Sequence, residues 1–337
     1  MALKNRQKSK LIIQPRDIEI FEWLYQFRFL TAQQIAQLVD PVREIVTSDE
    51  YKFRNGQASI IKRVYLLAQE DNKGSSYLKC TKQKFKKYVY SLGRKAIDVL
   101  ALEKGMFKDE LEPLLRTRKW GEEYLEHKLM IAEFGASLAI ACKELKKQGQ
   151  NIELITWLNE SQDYTITTHI PEELLTKPMQ QWKKPGEIYG LKLEKRPDAI
   201  FILQNPQGKQ AWFMLEAERG TKTSQRFLRE MAAYYYFLTQ QQFEGWSQDK
   251  QIHHQGRSAK NFGLIVYTIN PQKQASLIKT ILNINPQQTG SKMFWFTNQG
   301  LLKPDQPNSI FKPIFSRGQQ DELNYLYSLL GQKIIKD

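Results

Sequence analysis

Two cysteines, Cys80 and Cys142, are all that 337 residues contain, so there is no disulfide framework and no four-thiolate zinc site. Histidine is nearly as scarce, with four residues. The adjacent pair His253-His254 lies in a polar stretch without the spacing of a helical zinc motif, and no three-histidine cluster is present. No uninterrupted apolar run approaches the roughly 18 residues that span a bilayer. The N-terminus, MALKNRQKSKLII, has cations but neither a long apolar core nor a small-residue cleavage site, and does not read as a signal peptide. There is no P-loop, no dinucleotide glycine fingerprint and no Gly-x-Ser-x-Gly elbow, which leaves ATPase, dehydrogenase and elbow-hydrolase readings without support. Eighteen Gly and 13 Pro without period exclude a collagen-like chain. The expectation is a soluble, cytoplasmic protein with no membrane partner.

What the chain does have is positive charge and a core. Apolar residues make up 41% and aromatics 12%, which excludes wholesale disorder. The net charge is +14. It is unevenly placed: residues 1–120 hold 24 Lys and Arg against 14 Asp and Glu, and the remainder holds 26 against 22. A basic front third points to an anionic partner, with nucleic acid first. The length suits about two domains, and the patterns place them at 1–112 and 113–337.

The front third has the order of a winged helix-turn-helix. Pro15 and Asp17 open a first helix carrying Ile18, Phe21, Leu24 and Tyr25 at helical spacing. Thr31 is a candidate cap for a second helix over 32–39. Residues 40–57 are polar and read as a loop. A third helix is predicted over 58–69, and a hairpin over 77–90 carries Lys79, Lys82, Lys84, Lys86 and Lys87. Another helix follows over 96–103. In such a module the third helix enters the major groove, so Ser59, Lys62 and Arg63 are the expected base-edge contacts. The hairpin lysines would meet phosphates. The partner is then double-stranded DNA, at an origin or operator-like site.

The rest reads as an α/β core. A long helix is expected over 120–148, then strands at 151–158, 164–170, 196–203 and 211–218. A helix to about 241, a strand at 261–269, a helix at 271–283 and a strand at 292–297 follow. The pattern over 319–330 is helical. Residues 171–190 read as an insertion, and 242–260 are polar.

Acids recur at chemically telling places. Asp198 opens one strand, and Glu216 and Glu218 end the next, two apart and so on one face. A tight turn between those strands brings Asp198 beside Glu216. Two unit charges 4 Å apart repel by about 4 kcal/mol at an effective dielectric near 20. Gathered carboxylates must therefore take a proton, find Lys or Arg, or bind a cation. Hard divalent ions, Mg²⁺ above all, prefer such oxygen ligands. Glu133 stands in the apolar run Leu129–Phe134 of the long helix and also needs a partner if buried. On the helix after Glu218, Tyr234-Tyr235-Tyr236 offers a hydroxyl, with Tyr234 or Tyr235 the better candidate against the alternative of aromatic packing, and Tyr235 named after water as the nucleophile.

Pro197-Asp198, then Glu216-Ala217-Glu218, resembles the PD-(D/E)xK nuclease pattern. That resemblance implies metal held by a helix acid, the Asp and the Glu, with a lysine helping the nucleophile. Glu218 stands where that lysine would be, which leaves Lys222, Arg226 and Arg229 as candidate replacements, or hydrolysis compromised. A wider run resembles the replication-relaxation family of mobile-element proteins: His127 and Glu133 on one helix, then Pro197-Asp198, then Glu216-Ala217-Glu218-Arg219-Gly220-Thr221, then a helix with Tyr. It is also similar to plasmid mobilisation relaxases of the MobC kind. The resemblance implies an α+β chain, a winged helix followed by a PD-(D/E)xK-like αβββαβ domain. It implies Mg²⁺ or Mn²⁺ at Asp198, Glu216 and Glu133, with Glu218 nearby. The expected activity is site-specific nicking in plasmid mobilisation or replication, with other such proteins or a second copy as further partners. Two alternatives stand: a non-catalytic replication or transcription regulator with a degenerate nuclease-like domain, and a repair or restriction nuclease cutting both strands.

Overall fold

In the computed structural model the described residues are 11–39, 50–71, 74–82, 88–119, 121–183, 189–252, 259–303 and 306–336, with the side chains of 50–55, 116–119 and 307 left aside. They form a mixed α and β structure in two compact units, Met1–Trp120 and Gly121–Asp337.

The first unit runs α1 (Pro15–Phe27), β1 (Leu30–Thr31), α2 (Ala32–Val39), α3 (Glu50–Leu67), β2 (Leu78–Lys82), β3 (Tyr88–Leu92), α4 (Arg94–Lys104) and α5 (Lys108–Leu111). The strands pair antiparallel in the order β1-β3-β2. Ile20, Phe21 and Leu24 of α1 bury against Ile35 and Leu38 of α2 and Val64 of α3. That is the apolar spacing that the sequence shows. The described part of the predicted 40–57 loop departs from expectation, because α3 already includes residues 50–57. Polar composition does not separate a solvated helical turn from a loop.

The second unit begins with α6 (Glu122–Lys147) and β4 (Glu153–Asn159). Next come β5 (Ile166–Ile170), α7 (Lys177–Gln180) and β6 (Leu191–Lys195), with β5 and β6 forming a two-stranded antiparallel sheet of their own. β7 (Ala199–Gln204) and β8 (Gln210–Glu218) form a hairpin, and then follow α8 (Ser224–Thr239), α9 (Phe243–Asp249), β9 (Gly263–Thr268), α10 (Pro271–Ile281) and β10 (Gly290–Asn298). The chain closes with β11 (Ser316–Gln319), β12 (Tyr325–Tyr327) and β13 (Lys333–Ile335). The main sheet has the order β11-β10-β9-β8-β7-β4, with β8, β9 and β10 parallel. Parallel neighbours need crossovers, and α8 and α10 supply them.

Alternation along β8 sends Trp212, Met214, Glu216 and Glu218 toward α8, and Phe213, Leu215 and Ala217 toward α6. The α8 face is an apolar core of Met214, Met231, Phe227, Val266 and Phe296. The α6 face is aromatic: Phe134 lies 5.9 Å from Phe201 and 5.4 Å from Tyr267.

The predicted C-terminal helix over 319–330 is overturned, since β11, a short 3-10 turn (Gln320–Glu322) and β12 occupy that segment. Pairing at the sheet edge overrides local helical spacing. Gly318 allows the approach, because a Cβ there would lie 2.9 Å from Ile281, Phe294 and Phe296 side-chain atoms.

Candidate functional site

At the C-terminal end of β8 four elements bring charged side chains together. Lys195 ends β6, Pro197 carries the chain out of that strand, and Asp198 sits just before β7. The Asp198 carboxylate works at the rim of the sheet. Its Oδ2 accepts the Ala217 backbone N–H at 2.9 Å, and its Oδ1 lies 3.0 Å from His127 Nε2 of α6.

Glu216 and Glu218, on the α8 face, are 1% and 2% exposed. Two lysines lie among the acids in a continuous chain of ion pairs. Lys195 Nζ is 2.8 Å from Glu216 Oε2 and 3.1 Å from Glu230 Oε2. Lys222 Nζ is 2.8 Å from the same Glu230 oxygen and 3.1 Å from Glu218 Oε2. Glu218 Oε1 accepts the Gly220 N–H at 2.9 Å. Gly220 makes that turn at φ +89, a conformation suited to glycine. Tyr234 of α8 donates its hydroxyl to Glu216 Oε1. Thr223 caps α8 by accepting the Arg226 N–H. Arg219 reaches back to α6, with Nη2 2.9 Å from Glu126.

Burial and charge set the protonation of this cluster. Burial raises Glu216, the Lys195 charge lowers it and Asp198 raises it again, leaving it at about 7. Burial also works to raise Asp198, but the hydrogen bond and charge of His127, with Lys195 and Lys128, outweigh it and bring it to about 2. Burial disfavours the Lys195 ammonium, yet Glu216, Glu230 and Asp198 together raise its pKa. Tyr234 is pushed well up by burial and by the Glu216 charge, so its hydroxyl stays protonated.

Two opposite pH dependences follow. Glu216 binds its proton more tightly folded than unfolded, so its contribution to stability falls as pH rises from about 4.5 to about 7. Asp198 contributes stability above its ordinary pKa, and loses it as pH falls toward about 2. The expected result is an unfolding free energy that declines between pH 5 and 7.5, with a slope from this group of at most about 1.4 kcal/mol per pH unit. Glu216→Gln should flatten that slope; an unchanged slope in the variant would show that Glu216 does not titrate there.

Asp198 and Glu216 do lie within electrostatic reach of one another, and Glu218 joins them on the Glu216 face. Glu133 does not. Its Oε2 accepts from Tyr267 (3.0 Å) and Gln299 (2.9 Å). Tyr267 pairs with Ala217, on the face opposite Glu216. The sheet therefore separates Glu133 from Glu216, one of the acids it was expected to join. Of the two tyrosine candidates, Tyr234 reaches the cluster, whereas Tyr235, named as the nucleophile after water, packs against the core and 5.1 Å from the Tyr236 ring. Successive helical residues point about 100° apart, so only one of the pair can face the sheet end.

Lys222 is the candidate cation that enters. Arg226 meets only Glu230, at 3.2 Å from the exposed side. Lys195 and Glu230 were missed, although both carried a signal. Leu191, Leu193 and Lys195 share one parity in a strand whose leucines are buried, which turns the lysine inward. Glu230 lies three residues after Phe227 and four before Tyr234, on the buried face of α8.

The donor chemistry suits a hard divalent ion, which needs only one or two carboxylates with water completing its shell. Glu216 Oε2 is buried and is held by Lys195 Nζ at 2.8 Å. Among the described residues no three His, Cys, Asp or Glu form a metal cage, so the fit rests on Asp198 and Glu216.

In the first unit Ser59 and Lys62 are exposed on α3. Arg63 is not. It is 8% exposed, with Nε and Nη2 donating to Asp17 at 2.9 and 2.6 Å and Nη2 to the Ile12 carbonyl. Its place beside a buried carboxylate corrects the base-edge expectation. Lys79 donates to the Leu115 carbonyl at 2.9 Å, and Lys82 is exposed. Lys84, Lys86, Lys87, His253 and His254 lie outside the described residues. No described helix is long and apolar enough to cross a membrane.

A family model described as replication-relaxation matches residues 21–248, more than half of the chain. No curated protein and no solved structure matches it.

Proposed function

The chain belongs to the replication-relaxation family, and from that premise we propose that it nicks DNA in the mobilisation or replication of a plasmid or other mobile element. The observation that carries this reading is the meeting of Asp198 and Glu216 with two half-buried lysines at one strand end. Asp198 and Glu216 would hold Mg²⁺ or Mn²⁺; such an ion, when bound, polarises a scissile phosphate and stabilises charge on the attacking and leaving oxygens. His127 fixes the Asp198 carboxylate, and Tyr234 fixes that of Glu216. Lys195 supplies the cation absent from position 218, where Glu218 is held by Lys222. Water is the preferred nucleophile, because Tyr234 is fully buried and Tyr235 faces elsewhere.

The order α1, β1, α2, α3, β2, β3, α4 supports a winged-helix reading of the first unit, and α6 with β7, β8 and α8 supports a PD-(D/E)xK-like second unit. Ser59 and Lys62 would then approach base edges, with Lys79, Lys82 and the remaining hairpin lysines at phosphates. On supercoiled DNA carrying the sequence that flanks the gene, the protein with Mg²⁺ or Mn²⁺ should yield open circles. Asp198→Asn and Glu216→Gln should each slow this by on the order of 100-fold. Equal nicking by all three proteins would remove the assignment.

A second reading has its own observation. Lys195 and Lys222 already compensate the acids, as in a structural ion-pair network. A DNA-binding regulator with a degenerate nuclease-like unit would bind its site tightly and leave supercoiled DNA intact with either metal.

A further inference from the structure

The opposite end of the main sheet carries a different kind of site. A groove of about 500 Å³ opens where β8 begins, where the chain enters β9, and beside β10 and β11. Three cations line it, Lys260, Lys292 and Arg317, and no Asp or Glu is among the described lining residues. Its aromatic wall includes Trp295 and Phe262.

Arg317 is the informative member. Its guanidinium lies 3.4 Å from the Trp295 ring centroid and 4.8 Å from that of Tyr327. Nη1 donates to the Lys292 carbonyl, while Nε is buried without a hydrogen-bond partner. Among the described residues no carboxylate forms an ion pair with it. Among the described residues it is Glu322 whose charge bears on it, and Glu322 pairs with Lys333 at 3.3 Å. Burial therefore prevails and lowers the guanidinium pKa to about 10. A planar cation held by stacking, short of an anion and bordering an open groove, is prepared for one.

We propose that this groove binds the phosphates of a single DNA strand, with a base set against the Arg317 guanidinium that Trp295 backs. Cations interleaved with flat surfaces are how single-stranded nucleic acid is held. A duplex keeps its bases stacked inside and could offer the groove phosphates alone. β8 runs from this groove at Gln210 to the acids, roughly 20 Å to Glu216 and roughly 26 Å to Glu218 at about 3.3 Å per residue. The groove is thus a site apart from the acid cluster, and its occupancy does not require that cluster to cut.

The test is anisotropy of a labelled 12-nucleotide oligothymidine with the full-length chain, from 50 to 300 mM salt. Lys260→Gln with Lys292→Gln changes two exposed side chains, so the fold is kept. The pair should weaken binding roughly ten-fold at 100 mM salt and lower the salt slope by about 1.4, or about 0.7 for each phosphate no longer neutralised. Arg317→Gln should weaken binding at least as much. Lys146→Gln with Lys192→Gln, exposed lysines outside the groove, should stay within two-fold, as should binding of a 20-base-pair duplex by the groove variants. Equal weakening by the control pair, equal weakening on duplex and single strand, or no weakening at all would each overturn the proposal. So would micromolar binding of thymidine 5′-phosphate at the groove without binding of the oligonucleotide, which would make it a nucleotide pocket.

Discussion

Lys195→Met is expected to destabilise the second unit by about 3–5 kcal/mol at pH 8, the largest single-residue effect anticipated in this protein. The lysine side chain is 15% exposed and touches Glu216 and Glu230 at once. Removing it leaves a buried carboxylate whose remaining hydrogen bond comes from Tyr234, and Glu230 with Lys222 and Arg226 alone. Desolvation of an uncompensated charge is the cost, more than the loss of an attraction. The deficit should shrink at pH 6, because Glu216 already titrates near 7 and loses the lysine that keeps it ionised. Adding Glu216→Gln to Lys195→Met should recover part of the stability at pH 8. Urea unfolding of the three variants at both pH values gives the measurement. A deficit below about 1 kcal/mol at pH 8 would mean that water reaches the cluster, and its surface ion pairs would then be worth little.

Arg63→Ala should be nearly as damaging to the first unit, by about 3–5 kcal/mol. Asp17 is fully buried and receives two N–H groups from Arg63 and one from the Gln14 backbone. The hydrogen bond to Asp17 leads in raising the Arg63 pKa, so the guanidinium stays charged in the fold. Arg63→Lys should rescue little, since an ammonium cannot reproduce the two-pronged contact. Ser59→Ala and Lys62→Ala, at exposed positions on the same helix, should leave the unfolding midpoint unchanged within about 0.5 kcal/mol. Thermal or urea unfolding separates the cases. A stable Arg63→Ala protein that had lost affinity for DNA would restore Arg63 to the nucleic-acid face.

Both effects concern residues whose position in the sequence is unremarkable and whose partners are remote. Asp17 and Arg63 are 46 positions apart, and Glu216 and Tyr234 are 18 apart. The paired acids at Asp198 and Glu216 could be read from strand spacing, because a hairpin brings one strand's beginning to the next one's end. Glu133 could not be placed in this way. A helix lying across a sheet can aim an acid at either strand edge, and the choice was made by Tyr267 and Gln299, 134 and 166 residues away.

The amino-acid sequence alone determined what short-range periodicity encodes: the helix–helix–hairpin order of the front third and the strands around Pro197-Asp198 and Glu216. It also set the family, through residues whose order is independent of their contacts. Tertiary structure decided which charges neutralise one another. It turned Lys195 inward, chose Tyr234 over Tyr235, took Arg63 to Asp17 and made a strand of residues 316–319. The physical reason is that local backbone preferences act over a few residues. The energy of a buried charge depends on every atom near it, and most of those atoms belong to distant parts of the chain.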